Sequence, residues 1–262
     1  VGVITVITSL LCGEKSDAEL FDRLERLYLA SRLPDDDRAY FGILGDFPDS
    51  PTECADGDGE ILAYAKRRIA KLNEKYGNRF ALFVRRRIFH ESEGMFMGWE
   101  RKRGAVIELV KFLRGDSGTT FSEYPDFLQC RDIKYAVTLD SDTNMGIGAL
   151  PRLVGKALHP LNRPVIDENT GLVAEGFGIM QPGASPTLSS ARRTPFSRLM
   201  CGEGGIDVYS GARFDLYQTL FGKGIFCGKG IFDVDAFNEA VIRPEIFPEG
   251  RILSHDILEG AR

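Results

Sequence analysis

The run Ile133-Lys134-Tyr135-Ala136-Val137-Thr138-Leu139 stops abruptly on two carboxylates, Asp140 and Asp142, and this constrains the chain more than any other stretch. Its β-branched and aromatic content predicts a buried strand. On an extended backbone, residues i and i+2 face the same side. Asp140 and Asp142 would therefore sit together at the carboxyl end of a strand, where open α/β sheets hold their ligands. Two acids aimed at one spot suit a hard divalent cation that shares its shell with substrate phosphates. The plainer alternative is a polar Asp-Ser-Asp-Thr turn that closes the strand.

The segments before it alternate in type. Val3–Ile7 reads as a strand. Ser16-Asp17-Ala18-Glu19 offers a capped helix start, and Leu20, Leu24, Leu27 and Tyr28 give that helix an apolar face. Tyr40–Leu44 is a second strand, 60–76 a second amphipathic helix, and Phe80–Val84 a third strand. This β-α-β-α-β order predicts an α/β fold with a mostly parallel central sheet flanked by helices. The stretch 114–131 reads as a loop or insert. Gly148–Leu158 reads as a helix, Val165–Phe177 as a hairpin turning at Asp167–Gly171, and Gly178–Pro182 as a strand. Ile206–Leu220 reads as partly helical, and Asp235–Val241 as a short helix.

Composition excludes several function classes. A formal net charge of -5 gives no sign of nucleic-acid binding. The basic residues are clustered locally, at Arg85-Arg86-Arg87 and Arg101-Lys102-Arg103, which suits a phosphate-bearing small molecule. The 5 cysteines are scattered without C-x-x-C spacing, and only 3 histidines accompany them, so reduced thiols fit better than a structural zinc site. No apolar stretch is long enough to span a bilayer. The chain starts Val-Gly-Val and ends Gly260-Ala261-Arg262, and we read residues 1–262 as one soluble domain taken from a longer protein.

Four further segments carry candidate chemistry. Asp46 and Asp49 follow the second strand, where an acid can meet a ribose hydroxyl or a base edge, or simply make a turn. Gly94–Gly104 joins glycines, the single tryptophan Trp99 and the cations Arg101 and Lys102 ahead of an apolar helix, which is either an anion site or a solvated basic turn. The run Gly222–Gly230 alternates glycine and lysine closely enough that its backbone must approach something or turn sharply. Ser254-His255-Asp256 heads an apolar segment, with Asp256 either a helix cap or a general base.

Taken together, DFPD at Asp46–Asp49, MGWERKRG at Met97–Gly104, TLDSDT at Thr138–Thr143, HPLNRP at His159–Pro164, GKGIFDVDAF at Gly228–Phe237 and ILSHDILEG at Ile252–Gly260 form a recognisable series. The chain resembles, over nearly its whole length, the glycosyltransferase domain of cyclic β-1,2-glucan synthases, glycosyltransferase family 84. The resemblance implies a GT-A-type nucleotide-sugar-binding fold, UDP-glucose as donor, a β-1,2-glucan acceptor, and inversion at the anomeric carbon. It puts Mg²⁺ or Mn²⁺ on Asp140 and Asp142. It puts Thr8, Asp46, Arg101, Lys102 and Asp140 around the donor, and makes Asp256 the base; in this reading Gly228-Lys229-Gly230 floors the acceptor pocket and Trp99 is a candidate sugar platform. Related processive synthases carry Thr-Glu-Asp where this chain has Ser-His-Asp. They also carry a downstream Gln-x-x-Arg-Trp-like element, so the chain alone is expected to bind donor weakly and turn over poorly. The resemblance further implies a parent anchored in the membrane by other segments, with this domain on the cytoplasmic face.

Three alternatives share parts of this pattern. A nucleotidyltransferase would use the same sheet and acids but attack the α-phosphate. A glycoside hydrolase would use two carboxylates and no nucleotide. A non-catalytic glucan-binding module would bind oligosaccharide without UDP.

Overall fold

Strand β1 (Gly2–Leu10) alternates its side chains between two apolar environments, and the sheet is built outward from it. The computed structural model describes residues 1–31, 38–129, 132–183, 187, 191–200, 220, 224, 226 and 228–244. Val3 and Ile7 join one core, whereas Ile4 and Val6 join another on the opposite face. Period-2 alternation between two buried faces is what a central strand of a three-layer α/β protein requires.

β1 pairs in parallel with β2 (Ala39–Asp46) on one side and β7 (Ile133–Asp140) on the other. β3 (Phe80–Arg85) adds in parallel beyond β2. Three short strands, β6 (Phe121–Glu123), β10 (Ile179–Met180) and β11 (Gly230–Asp233), complete the order β10-β11-β7-β1-β2-β3-β6. β6 and β11 run antiparallel to β3 and β7. The sheet is thus mixed and mostly parallel. From β1 the chain winds first toward β2 and β3, and later places β7 on β1's other flank. The β1/β7 boundary is therefore a topological switch point, where the chain ends diverge and leave a crevice.

Helices α1 (Glu14–Ser31), α2 (Asp58–Tyr76) and α5 (Ala149–Leu158) cover one face, with Leu20, Leu24, Leu27, Tyr28, Ile69, Leu72, Leu150 and Leu153 buried against it. Helix α3 (Arg101–Leu113) covers the other, through Val106, Leu109, Val110 and Leu113. Two hairpins lie outside the main sheet: β4 (Ile88–His90) with β5 (Met95–Met97), and β8 (Val165–Ile166) with β9 (Val173–Glu175). Among the described residues, no helix is long and apolar enough to cross a membrane.

Several expectations shift. α1 begins at Glu14, so Ser16 lies inside the first turn. The start is fixed instead by the Asp17 carboxylate, which accepts from the backbone N–H groups of Cys12 and Gly13 at 2.9 and 2.8 Å. The stretch 114–131 is more than a loop: it holds β6 and α4 (Asp126–Gln129). The short helix Val234–Phe237 runs into a π turn at Asn238–Ile242 and is capped by Asp233. The hairpin at 165–175 forms as expected, closed by Gly171 N–H donating to Asp167 O at 2.8 Å. Residues 206–219 and 252–260 lie outside the described residues. Cys12 and Cys54 carry free thiols.

The connection from β2 to α2 is held by Arg87, which is 3% exposed. Its guanidinium donates to both carboxylate oxygens of Asp58, at 2.5 and 3.0 Å, and to the carbonyls of Pro48 and Glu53 at 2.6 and 3.1 Å. Hydrogen bonds from Arg87, working against burial, hold the Asp58 carboxyl below its ordinary value. The contribution of this pair is therefore full above about pH 4 and is lost as pH falls through the depressed value. Asp58→Asn is expected to lower stability at pH 7 by about 1.5–3 kcal/mol. Chemical denaturation repeated between pH 7 and pH 2 should find wild type and variant converging at the acid end. A gap that stays constant with pH would contradict this assignment.

Candidate functional site

Three strand ends meet at the switch point. Register pairs Thr8 of β1 with Asp140 of β7, and Leu10 of β1 with Asp46 of β2. The cleft that opens there has a volume of about 410 Å³. Its walls include Thr8, Asp46, Asp49, Arg101, Lys102, Asp140 and Asp142, with Phe47, Leu44 and Ala105 as its apolar lining. The described members of the set expected from sequence therefore come together in one concavity, although they are drawn from β1, β2, α3 and β7. Asp256 and its neighbour His255 lie outside the described residues.

The acid pair is arranged differently from the expectation. β7 ends at Asp140, and Thr143 N–H donates back to Asp140 O at 3.0 Å. Asp142 therefore sits in a turn and reaches the cleft through that turn rather than through the strand's pleat. Arg23 of α1 donates to the Ser141 carbonyl and fixes the turn from below. The Thr8 hydroxyl donates to Leu139 O at 3.1 Å, tying the ends of β1 and β7 together.

Asp140 is held by two cations from different segments. Lys102 Nζ bonds its Oδ1, and Lys229 Nζ lies 3.0 Å from its Oδ2. Burial alone would raise its carboxyl pKa, but these two ammonium groups outweigh burial and leave it lowered. Asp142 is exposed, and its Oδ1 accepts from the Thr143 hydroxyl at 3.4 Å. Among the described residues, no three His, Cys, Asp or Glu side chains group into a metal cage. Asp140 and Asp142 nonetheless fit a hard cation that takes its remaining ligands from phosphate oxygens and water, which is how Mg²⁺ is commonly held.

The basic clusters divide into two kinds. Arg85 and Arg87 do not face a ligand: both are buried and act as internal braces. Arg85 grips Asp46 with two bonds, at 2.7 and 2.6 Å, and donates to the carbonyls of Trp99 and Arg101, each at 2.7 Å. Arg103 is also buried, paired with Glu100 at 2.6 Å. Only Arg101 and Lys102 of these clusters reach the cleft, and Arg101 meets Asp49 there at 3.0 Å.

The start of α3 is held under strain. Glu100 and Arg101 both have φ of 49°, in the left-handed region, which costs about 1–3 kcal/mol for each non-glycine residue. The Arg85 bonds to the flanking carbonyls keep this turn in place. Gly98 is required beside it, because a Cβ there would lie 2.7 Å from Asp46 Oδ2 and 2.8 Å from Arg85 Nη2. Trp99 does not line the cleft. Its ring packs against the α3 core, with Lys111 Nζ 6.0 Å from its centroid, so it is no platform for a ligand in the cleft.

Lys229, expected with Gly228 and Gly230 on the floor of the acceptor pocket, instead reaches Asp140. The glycine-lysine alternation around it indicated a close backbone approach, and Gly228 does approach: its carbonyl accepts from Thr138 Oγ1 and Lys102 Nζ at 3.1 and 3.0 Å. The position of the lysine itself depends on β11 returning alongside β7, which sequence spacing does not reveal.

No protein-family model matches the chain. The chain is 41% identical, over 98% of its length, to cyclic beta-(1,2)-glucan synthase NdvB of Rhizobium meliloti (strain 1021). It spans 9% of that protein's length. Identity at this level over nearly the whole chain makes it homologous with one segment of that synthase.

Proposed function

We propose that this chain is an inverting glucosyltransferase domain of GT-A type that moves glucose from UDP-glucose onto a growing β-1,2-glucan. The observation that carries the reading is the convergence of Thr8, Asp46, Arg101, Lys102, Asp140 and Asp142 on one cleft at the sheet's switch point. Homology with a segment of a cyclic beta-(1,2)-glucan synthase supports the same class of product. Residues 1–262 form one such domain in this reading.

Each residue then has a role suited to its chemistry. Thr8 and Asp46 meet the uridine, with Asp46 offering the oxygen lone pairs that Arg85 leaves open. Arg101 and Lys102 hold phosphate oxygens as charge-assisted donors. Asp140 and Asp142 hold Mg²⁺ or Mn²⁺, which when bound supplies Lewis-acid stabilisation of charge on the leaving diphosphate. The acceptor 2-hydroxyl oxygen bonds to the anomeric carbon as the bond to UDP breaks. Its proton passes to the Asp256 carboxylate, and attack from the face opposite UDP inverts the centre.

Calorimetric titration of UDP and UDP-glucose, with and without Mn²⁺, tests the donor site. Wild type should bind in a metal-dependent manner, and Asp142→Asn should weaken binding in Mn²⁺ by at least about tenfold. Oligosaccharide binding without UDP binding would select a glucan-binding module instead. Pyrophosphate in place of UDP as the released product would select a nucleotidyltransferase.

A further inference from the structure

We propose that Lys102 and Lys229 form a diphosphate-holding pair, and that Asp140 occupies this pair until a divalent cation takes the carboxylate from it. The proposal deepens the donor reading above by adding Lys229 to the site and by giving the acid a second task.

The two lysines arrive from unrelated places. Lys102 stands in the first turn of α3, and Lys229 immediately precedes β11. Each takes a different oxygen of the same carboxylate, Lys102 at Oδ1 and Lys229 at Oδ2. Their side chains are each 36% exposed, and that of Asp140 is 31% exposed, so all three groups remain open to exchange with a ligand from the cleft.

The surrounding backbone is shaped to keep the lysines together. Lys102 Nζ also donates to Gly228 O, and Thr138 Oγ1 of β7 fixes that carbonyl. Gly228 has φ of +70°, and a Cβ there would lie 2.9 Å from Lys102 Nζ. A side chain at 228 would push the lysine away.

The electrostatics give this arrangement a consequence. Two ammonium groups on one carboxylate repel unless an anion lies between them, and Asp140 is that anion here. A divalent cation on Asp140 and Asp142 removes it. The lysines then lose that anion, and a diphosphate can replace it with charge and several acceptor oxygens. Cation and diphosphate thus favour each other's binding, and the coupling is reciprocal. Without a cation, Asp140 competes directly with the diphosphate for the same donors.

The test uses inorganic pyrophosphate, which carries no nucleoside and no sugar. Calorimetry in EDTA compares wild type, Asp140→Asn and Asp140→Asn/Lys229→Met. Asp140→Asn removes the competing charge with little change of shape, and should bind pyrophosphate about tenfold more tightly than wild type. Adding Lys229→Met should cancel that gain. In Mn²⁺ the wild type should tighten, whereas Asp140→Asn should respond weakly to the metal. Lys229→Met alone, read in Mn²⁺, should loosen pyrophosphate by a similar factor and does not depend on the Asp140 variant folding. Equal or weaker binding by folded Asp140→Asn in EDTA, or no effect of Lys229→Met in either setting, would overturn the proposal. Pyrophosphate behaving as described while UDP-glucose fails to bind would keep the lysine pair and reject the donor reading.

Discussion

Arg85→Met is expected to lower stability by about 3–5 kcal/mol, the usual cost of removing one member of a buried charge cluster. The Arg85 side chain is 0% exposed and sits between Asp46 and Glu108, with two carbonyls of the α3 entry completing its shell. Methionine fills similar volume but leaves both carboxylates uncompensated. Burial already raises the Glu108 carboxyl pKa, with Arg85 acting against that rise, so losing Arg85 pushes Glu108 further toward its neutral form. Asp46 is 14% exposed and can be partly rehydrated from the cleft. The double variant Arg85→Met/Asp46→Asn should therefore recover part of the loss, whereas two independent losses would add. Urea unfolding followed by circular dichroism measures both, and Trp99 fluorescence reports locally because its carbonyl is an Arg85 partner. Domains of this kind have only about 5–15 kcal/mol in total, so the single variant should be visibly marginal. A loss under about 1 kcal/mol would mean that water replaces the guanidinium and that the brace is not structural.

This brace also marks a boundary of what sequence alone discloses. Arg85-Arg86-Arg87 reads as a surface basic patch because a run of like charges usually is one. The structure carries strand-like alternation past the end of β3: Arg85 and Arg87 are buried, and Arg86 is exposed. Inward arginines require acids waiting for them, and Asp46 and Asp58 come from other segments that only the folded chain brings near. The pairing of Lys229 with Asp140 was hidden for a similar reason, since Asp140 lies on a strand far away in sequence. β6 was missed because Phe121-Ser122-Glu123 is too short to establish a period, and its register comes from β3. By contrast, β1, β2, β3 and β7 were legible because each is a long apolar run buried on both faces. The cleft acids were legible because Asp46 and Asp140 close such runs, and a parallel sheet sends all its carboxyl ends to one edge. What the sequence conveys well is local chemistry at strand ends. What it conceals is the pairing of charges across the fold.

Those pairings bear on the proposed mechanism, in which a carboxylate not already engaged by the cleft's own cations would accept the acceptor's proton. Asp140 is engaged by two lysines, Asp46 by Arg85 and Asp49 by Arg101. The two lysines that lower the Asp140 carboxyl pKa make it a weaker base, and the Asp46 and Asp49 oxygens already accept from arginines. With Asp142 assigned to the cation in the proposed function, Asp256, identified by the resemblance of Ser254-His255-Asp256 to a base motif, is the candidate base. Asp256→Asn is accordingly expected to lower glucosyl transfer by about 10²–10⁴-fold, the usual contribution of a positioned general base. Binding of UDP and of UDP-glucose in Mn²⁺ should change by less than about twofold, because the base meets the acceptor and not the donor. That split separates it from Asp142→Asn, where donor binding itself should fall. Transfer is read as glucose incorporated into a β-1,2-glucan acceptor, with donor saturating, so that the chemical step and not occupancy sets the rate. Full activity in the Asn variant would move the base elsewhere, with His255 next to be replaced. Equal losses in transfer and in donor affinity would make Asp256 a part of the donor pocket rather than the proton acceptor.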